Sequence, residues 1–453
     1  MAARHCIVGG VIGMGIASLG ADGVVWGWEG KGVSQIFASW VIAPAISAAF
    51  AAIIFSITKY GVLKRSNPLK WGFVMVPIYF AITSGILTML IVWKGVSSSL
   101  KSVRGFFFTS TKLCLQAASL NLDSWTGGQI AGCIFGVAGG VALIIVVFFL
   151  PFLHRKLIKE DWTLRGWEII YGPALLYRGP VPDAPEGVQT QVVQDYYRGK
   201  ATKADLEAAN IKPSTVTEME GNRADTHSDE LGIQKEAGVD SKTLEEVERM
   251  DTGPWYYPKN LLKIVVDAAL HGVRVDVISE QGRSSKLSGN VNDMHARAAR
   301  FDNKTEHLYS FLQILTAATA SFAHGANDVA NATGPLATIY LVWHSGEVNK
   351  KAPVPIWVLA YGGAAIVIGL WTYGYNIMRN LGNRLTLQSP SRGFSMELGS
   401  AITVVLATRL ALPVSTTQCI VGATMGVALC NGDLKALNWR MVAWWYVFQF
   451  AKS

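Results

Sequence analysis

The stretch from Ser321 to Ile339, SFAHGANDVANATGPLATI, lies in the middle of an apolar run from Leu308 to Trp343. Asp328 is its one carboxylate, and Asn327 and Asn331 flank it. A charged side chain at membrane depth is costly, so it usually faces a protein cavity and has a functional role. The stretch therefore predicts a polar site inside a membrane protein, although a single asparagine in a membrane helix is often a hydrogen bond between helices.

Residues that interrupt helices punctuate the same stretch. Gly325, Gly334 and Pro335 stand in a run that would otherwise read as one membrane helix. Broken helices at membrane depth line ion and substrate sites in transporters. We therefore expect this helix to be broken near Asp328.

The composition indicates a polytopic all-α membrane protein. Of the 453 residues, 50% are apolar, and the mean hydropathy is +0.29. Several runs exceed the roughly 20 residues needed to cross a bilayer, and the alternation typical of a membrane β-barrel is absent from the sequence. The net charge of +8 sits largely in loops beside the spans. It therefore indicates how the protein is oriented in the membrane and does not indicate nucleic-acid binding. The five cysteines have no CxxC or Cys/His spacing, so neither a disulfide framework nor a metal cluster is predicted.

The chain divides into two membrane parts and a hydrophilic loop. The predicted parts are an N-terminal membrane repeat at 1–177, a hydrophilic cytoplasmic loop at 178–305 and a C-terminal membrane repeat at 306–453. The predicted membrane segments are 7–26, 34–57, 73–93, 129–153, 308–343, 354–378, 398–412, 415–430 and 442–451.

The central loop is charged and poor in large apolar residues, so we expect most of it to be disordered. The exception is the segment from Leu261 to Ile278, which predicts an amphipathic helix on the bilayer or the protein body. Basic clusters after the second and fourth segments fall on one side, which the positive-inside rule makes cytoplasmic.

A polar turn separates two short apolar segments near the C-terminus. Two segments this short, meeting at Pro413, predict a re-entrant hairpin. Ser415, Thr416 and Thr417 follow the proline and stand at a predicted helix start. Their hydroxyls, beside the free N–H groups and the positive dipole end of a helix, predict an oxyanion site. Capping of a short helix is the alternative explanation.

A short internal repeat links the two membrane parts. Residues 5–9 read HCIVG and residues 418–422 read QCIVG, and Gly13 and Gly426 share the same offset. Repeats across two halves are typical of transporters, with the substrate site at their interface. The chain would then begin inside its first repeat and stop in or just after an apolar helix, so we expect it to be truncated at both ends.

Three motifs carry a family resemblance. GANDVANATGPLA (325–337), SPSRGFSMELGSA (389–401) and LPVSTTQCIVGA (412–423) resemble the signatures of the inorganic phosphate transporter (PiT) family. The overall pattern is most similar to fungal sodium-coupled phosphate permeases. The resemblance implies two inverted repeats with broken helices and re-entrant hairpins, the first repeat being incomplete here.

The resemblance also implies roles for the matching residues. Phosphate would bind Asn331 and the hairpin tip, a sodium ion would bind Asp328, and Glu397 is the acidic position that matters for transport. The expected phosphate ligands are Ser415, Thr416, Thr417 and Asn331, and the expected cation-binding or coupling residues are Asn327, Asp328 and Glu397. Gln418 departs from the histidine of many members and cannot titrate near neutral pH. The first copies of GANDVANA and Ser-Thr-Thr are absent from the chain.

The expected function is secondary active transport of inorganic phosphate by sodium symport, with sodium as the co-transported ion and no cofactor. Proton coupling, a non-transporting truncated product and a phosphate sensor remain open. An enzyme is disfavoured, because the sequence has no P-loop and no clear nucleophile–base pair. The expected partners are phosphate, sodium or protons, the lipid bilayer and a second copy in a homodimer. The plasma membrane is the expected location, with a vacuolar membrane as the alternative.

Overall fold

The computed structural model describes residues 3–28, 32–94, 126–182, 193–204, 258–270, 288–346, 354–409 and 414–451. Helices build this part of the chain, and it contains no strand. The α-helices are α1 (Ala3–Leu19), α2 (Val33–Thr58), α3 (Pro68–Lys94), α4 (Gly127–Ile144), α5 (Leu150–Leu157), α6 (Pro258–Ala269), α7 (Val291–Arg297), α8 (Asn303–Ser345), α9 (Ile356–Asn380), α10 (Pro390–Arg409), α11 (Thr416–Leu429) and α12 (Trp439–Ala451).

Within the described residues, four helical stretches are long and apolar enough to cross a membrane. They are Val33–Leu63, Pro68–Met89, Gly127–Leu157 and Ile356–Arg384. The second predicted segment agrees with α2 to one residue at each end, and the helix continues through Pro44. The first segment was predicted to end near residue 26, but α1 ends at Leu19 because Gly20 adopts a left-handed φ of 75°. The all-α membrane class predicted from composition is confirmed.

The predicted break in the helix that carries Asp328 is wrong. Helix α8 runs without interruption for 43 residues, about 65 Å, and Pro335 lies inside it. Pro335 has no N–H to donate to the Asn331 carbonyl, so one backbone bond is lost. Thr333 and Thr338 donate their hydroxyls to the carbonyls of Val329 (2.8 Å) and Gly334 (2.9 Å), one turn earlier in each case. Threonine hydroxyls of this kind help membrane helices accommodate proline and glycine.

Helices α10 and α11 form the expected hairpin arms, with residues 410–413 outside the described part. Helix α10 begins at Pro390, eight residues before the predicted start at Leu398, because Pro at the first position of a helix suits its fixed φ and missing N–H. The polar residues Ser391, Arg392 and Ser395 in the first turns of α10 are buried.

Glycines let α2 approach both arms of the hairpin closely. A methyl group added at Gly422 would lie 2.3 Å from the Pro44 carbonyl oxygen, and one at Gly426 would lie 2.1 Å from that of Ala48. Gly399 on α10 meets Ala51 in the same way. Small residues four apart allow such backbone contact between membrane helices. A methyl group added at the matching glycines of the sequence repeat, Gly9 and Gly13, would meet no atom of another element within 4 Å. The inverted repeat stays a prediction.

The substitution Gly426→Ala is expected to destabilise the protein by about 1–3 kcal/mol, because the added methyl must push α11 away from α2. The measurement is thermal unfolding of the purified protein in detergent. The matched control is Gly139→Ala on α4, where an added methyl group would meet no atom of another element within 4 Å. There we expect no loss and a gain of up to about 1 kcal/mol from helix propensity. Equal melting temperatures for the two variants would contradict the packing described for α2.

Two segments of the central loop, residues 193–204 and 288–302, are bound to the helices. They are exceptions to the predicted disorder, which stays a prediction for the rest of the loop. Tyr197 donates its hydroxyl to the buried Glu306 of α8 (3.1 Å). Glu306 also accepts from the backbone N–H and the hydroxyl of Ser391 at the start of α10, both at 2.9 Å. One carboxylate thus joins the loop, α8 and α10 at one end of the bundle.

Positive groups surround that contact. Arg392 is fully buried and donates to Asn431 (3.2 Å), and Lys200 donates to the Gln388 carbonyl (3.2 Å). Burial, together with the neighbouring Arg392 and Arg300, lowers the pKa of Lys200 to about 8. Burial likewise lowers the pKa of His295 to about 4, so this imidazole is neutral at pH 7.

The predicted amphipathic helix is present in part. Helix α6 ends at Ala269, and the predicted remainder from residue 271 to 278 lies outside the described residues. The indole of Trp371 on α9 donates to the Ala268 carbonyl (2.9 Å). Helix α6 therefore lies against the body of the protein at α9.

Candidate functional site

Helix α8 presents three polar side chains within five residues. Asn327 and Asn331 are one turn apart and so share a face of the helix, with Asp328 beside them. Asn327 is 5% exposed, and Asp328 is half-buried. Because α8 is continuous, the three side chains are held at fixed spacing on one helix. A break would have placed them on a loop.

The start of α11 forms the second half of the site. Ser415 is the N-cap residue, and its hydroxyl accepts the backbone N–H of Gln418 at 3.3 Å. Ser415 and Thr416 are buried, and Thr417 is half-buried. The first turn of a helix directs backbone N–H groups out of its end and carries the positive end of the dipole. This arrangement suits an anion.

The two halves meet in the structure. The Asn327 amide nitrogen donates to the Val414 carbonyl (3.2 Å), directly before the N-cap of α11. The Thr416 hydroxyl lies 3.5 Å from Asp328 Oδ1, at the long limit of a hydrogen bond. The structure therefore brings together Asn327, Asp328 and the hairpin tip, which are almost ninety residues apart in sequence.

Glu397 belongs to a different part of the fold. Its carboxylate accepts from the Thr316 hydroxyl (2.6 Å) and from the Gln313 amide (3.3 Å), both on α8. Thr316 and Asp328 are twelve residues apart on one helix, a separation of about 18 Å along its axis. Glu397 is thus a separate polar centre between α8 and α10.

Sequence reasoning missed Gln313 and Thr316. They are three residues apart and therefore share a face of α8. A methyl group at Gly393 would lie 2.1 Å from Gln313 Nε2, so this glycine makes room for the amide beside Glu397. The available signal was two polar residues at helical spacing in an apolar run, ahead of the GANDVANA stretch.

Asn331 lines a cavity of about 330 Å³ between α1, α2 and α8. The walls are largely apolar and include Val8, Trp40 and Pro335. The Asn331 amide nitrogen is buried and has no hydrogen-bond partner among the described residues. Its contribution to phosphate binding stays a prediction, as do the roles of the other site residues.

Comparison with known proteins agrees with the motifs. The model of a family described as the phosphate transporter family matches residues 1–450. A phosphate-repressible phosphate permease, pho-4, from Neurospora crassa is 48% identical over 472 residues, which cover 98% of this chain and 76% of the permease.

More distant relatives carry sodium in their names. Sodium-dependent phosphate transporter 1-A of Danio rerio is 29% identical, over 97% of this chain and 75% of the relative. Sodium-dependent phosphate transporter 2 of Homo sapiens is 27% identical, over 97% of this chain and 78% of the relative. A solved structure named "The sodium-dependent phosphate transporter" aligns with a TM-score of 0.46 at 22% identity, covering 99% of this chain and 73% of the other.

The family match spans nearly the whole chain, and the named relatives are permeases and transporters, not enzymes. The long apolar helices agree with a protein that works in a membrane. On the sequence match and the three motifs together, this chain belongs to the phosphate transporter family.

Proposed function

We propose that this chain carries inorganic phosphate across a membrane together with sodium, by alternating access. The observation that supports this most is the meeting of Asp328 on α8 with the first turn of α11. An acid and a helix N-terminus with three hydroxyls combine a cation site and an anion site in one place.

Phosphate would bind at the hairpin tip. The hydroxyls of Ser415, Thr416 and Thr417 and the N-terminus of α11 supply hydrogen-bond donors and a partial positive charge. Neutral donors of this kind hold an anion less tightly than an arginine fork would. That suits a ligand that must be released on the other side of the membrane.

Sodium would bind beside Asp328. The Asn327 amide uses its nitrogen for Val414, so its oxygen is the atom suited to a cation. Pro335 cannot bond the Asn331 carbonyl, which is another oxygen close along α8. Oxygen ligands of these kinds coordinate sodium in transporters with interrupted helices. A cation here offsets the repulsion between Asp328 and phosphate, so each ligand raises the affinity for the other.

Proton coupling is the second candidate, and Glu397 favours it. Both partners of its carboxyl group, Thr316 and Gln313, are neutral donors. A buried carboxyl group held only by neutral partners is a group that can take up and release a proton. In the sodium proposal, Glu397 instead helps couple the cation to movement of α10 against α8.

The proposal includes the plasma membrane as location and the cytoplasm as the side of the central loop. The basic residues Arg155 and Lys156 at the end of α5 support this orientation by the positive-inside rule. The proposal applies equally to a monomer and to a homodimer.

The test is uptake of labelled phosphate into proteoliposomes that contain the full chain, with external sodium or with choline in its place. We expect uptake that requires the sodium gradient and collapses when an ionophore dissipates it. Uptake that is sodium-insensitive and rises with an inward proton gradient would contradict sodium coupling in favour of protons. Phosphate binding without any uptake would contradict transport and favour a sensor.

A further inference from the structure

The side chain of Gln418 is buried without the hydrogen bonds that a buried amide normally makes. It is 3% exposed, yet neither its amide oxygen nor its amide nitrogen has a hydrogen-bond partner among the described residues. Leaving a buried polar group unpaired is unfavourable, so such a group usually marks a bound water, ion or ligand.

The Gln418 side chain also makes no hydrogen bond to the N–H of the N-cap residue, Ser415. It is the third residue of α11, where a glutamine commonly accepts the N–H of the N-cap residue to complete a capping box. Here the Ser415 hydroxyl accepts the Gln418 N–H, but the reciprocal bond to the Gln418 side chain is absent among the described residues. The amide is therefore available to bind a water, an ion or a ligand.

Helix geometry directs the Gln418 amide toward the hairpin tip. In a helix the Cα–Cβ bond tilts toward the N-terminus, and long side chains lean back over the preceding turn. For Gln418 that turn is Ser415 to Thr417, the predicted phosphate-binding hydroxyls. A buried unpaired amide and a helix N-terminus thus converge on one location.

We infer that Gln418 selects phosphate over sulfate, an inference that rests on the proposed function. An amide has a donor and an acceptor a fixed distance apart. Phosphate near neutral pH keeps at least one P–O–H group beside its charged oxygens. The Gln418 nitrogen then donates to a phosphate oxygen, and its oxygen accepts the P–O–H hydrogen. Sulfate has no hydrogen at neutral pH, so the amide oxygen would face a second acceptor.

A site of this kind discriminates strongly between phosphate and sulfate. Rejection of an analogue that lacks a hydrogen-bonding group is large when the analogue leaves a buried polar group of the site unpaired. The Gln418 oxygen would be such a group when sulfate occupies the tip. Arsenate keeps its hydroxyl and should be accepted as phosphate is.

The test is competition for labelled phosphate uptake by sulfate and by arsenate, in wild type and in Gln418→Met. Methionine is close in size and removes both unpaired polar atoms, so the melting temperature should stay the same or rise. We expect the apparent phosphate affinity to fall at least about tenfold. The preference for phosphate over sulfate should fall by a similar factor, while the ratio of arsenate to phosphate stays unchanged.

A second variant, Gln418→Glu, keeps an acceptor and exchanges the donor, so phosphate affinity should fall while sulfate stays rejected. The matched control is Thr424→Val on the same helix, whose buried hydroxyl bonds the Ile420 carbonyl (2.8 Å) and lies two turns from the tip. It should keep the wild-type selectivity.

Normal phosphate affinity and sulfate rejection in Gln418→Met would overturn the inference and leave a structural water as the partner of Gln418. The proposed function would survive that result. Absence of phosphate uptake by the wild type would overturn both.

Discussion

The substitution Asp328→Asn is expected to lower sodium-driven phosphate uptake by about 100-fold or more, with the protein still folded and present in the membrane. Asparagine has the same shape, and its oxygen can accept the Thr416 hydroxyl that lies 3.5 Å from the carboxylate. The negative charge is lost, and removing one member of a desolvated charge pair costs about 2–5 kcal/mol. The cation that offsets the charge of phosphate would then have no site.

The control for this variant is Asp22→Asn, which makes the same chemical change at an exposed residue. It should transport phosphate as the wild type does. Protein in the membrane is quantified for both variants, so a folding defect is distinguished from a transport defect. Sodium-dependent uptake at the wild-type rate in Asp328→Asn would contradict the role of this carboxylate.

The substitution Arg155→Met is expected to cost about 3–5 kcal/mol of stability, because it leaves a buried acid without its partner. Arg155 Nε lies 2.6 Å from Asp161 Oδ2, and both side chains are almost fully buried. The same guanidinium donates to the carbonyls of Arg178 (2.7 Å) and Gly179 (2.8 Å). It therefore holds the loop after α5 against the helices.

Thermal and denaturant unfolding in detergent measure this loss of stability. The difference between Arg155→Met and the wild type should become smaller at acid pH. Burial would raise the pKa of Asp161, but hydrogen bonds from Thr163 and Arg155 outweigh burial and the pKa is lowered. A lowered pKa in the folded state stabilises the protein above the ordinary aspartate value of about 3.9, and the stabilisation is lost as pH falls through the folded value.

The matched control is Arg178→Met, which breaks the more exposed pair with Glu168 (3.0 Å). Exposed pairs are worth about 0–1 kcal/mol. A loss in Arg155→Met no larger than in this control would contradict the account of the loop.

Each half of the site was predictable because its physical reason is local, and the family resemblance implied that the two halves meet. A carboxylate in an apolar run must face a polar partner, and hydroxyls after a proline form a helix start whatever the rest of the chain does. The all-α membrane class followed from apolar length alone.

The continuity of α8 was not predictable from Gly325, Gly334 and Pro335. Whether a proline breaks a membrane helix depends on what else can satisfy the backbone. In this chain the helix continues through Pro335, and the hydroxyls of Thr333 and Thr338 bond the carbonyls of Val329 and Gly334 on either side of the freed Asn331 carbonyl. The sequence contains those threonines, but their rotamers are a property of the folded helix.

The position of Glu397 and the bound loop segments depend on contacts distant in sequence. Glu397 meets Gln313 only because Gly393 lets the amide lie between α8 and α10. Tyr197 reaches Glu306 across more than one hundred residues. Composition marks the region around Tyr197 as polar, but a few buried hydrogen bonds are enough to bind it.

The central claim is that phosphate and a sodium ion bind where α8 meets the first turn of α11. The most direct measurement is an experimental structure of the full chain with phosphate and sodium bound. We expect phosphate within hydrogen-bond distance of the Ser415 and Thr416 hydroxyls, and a cation in contact with Asp328. Phosphate bound elsewhere in the protein, with Asp328 contacting no cation, would contradict it.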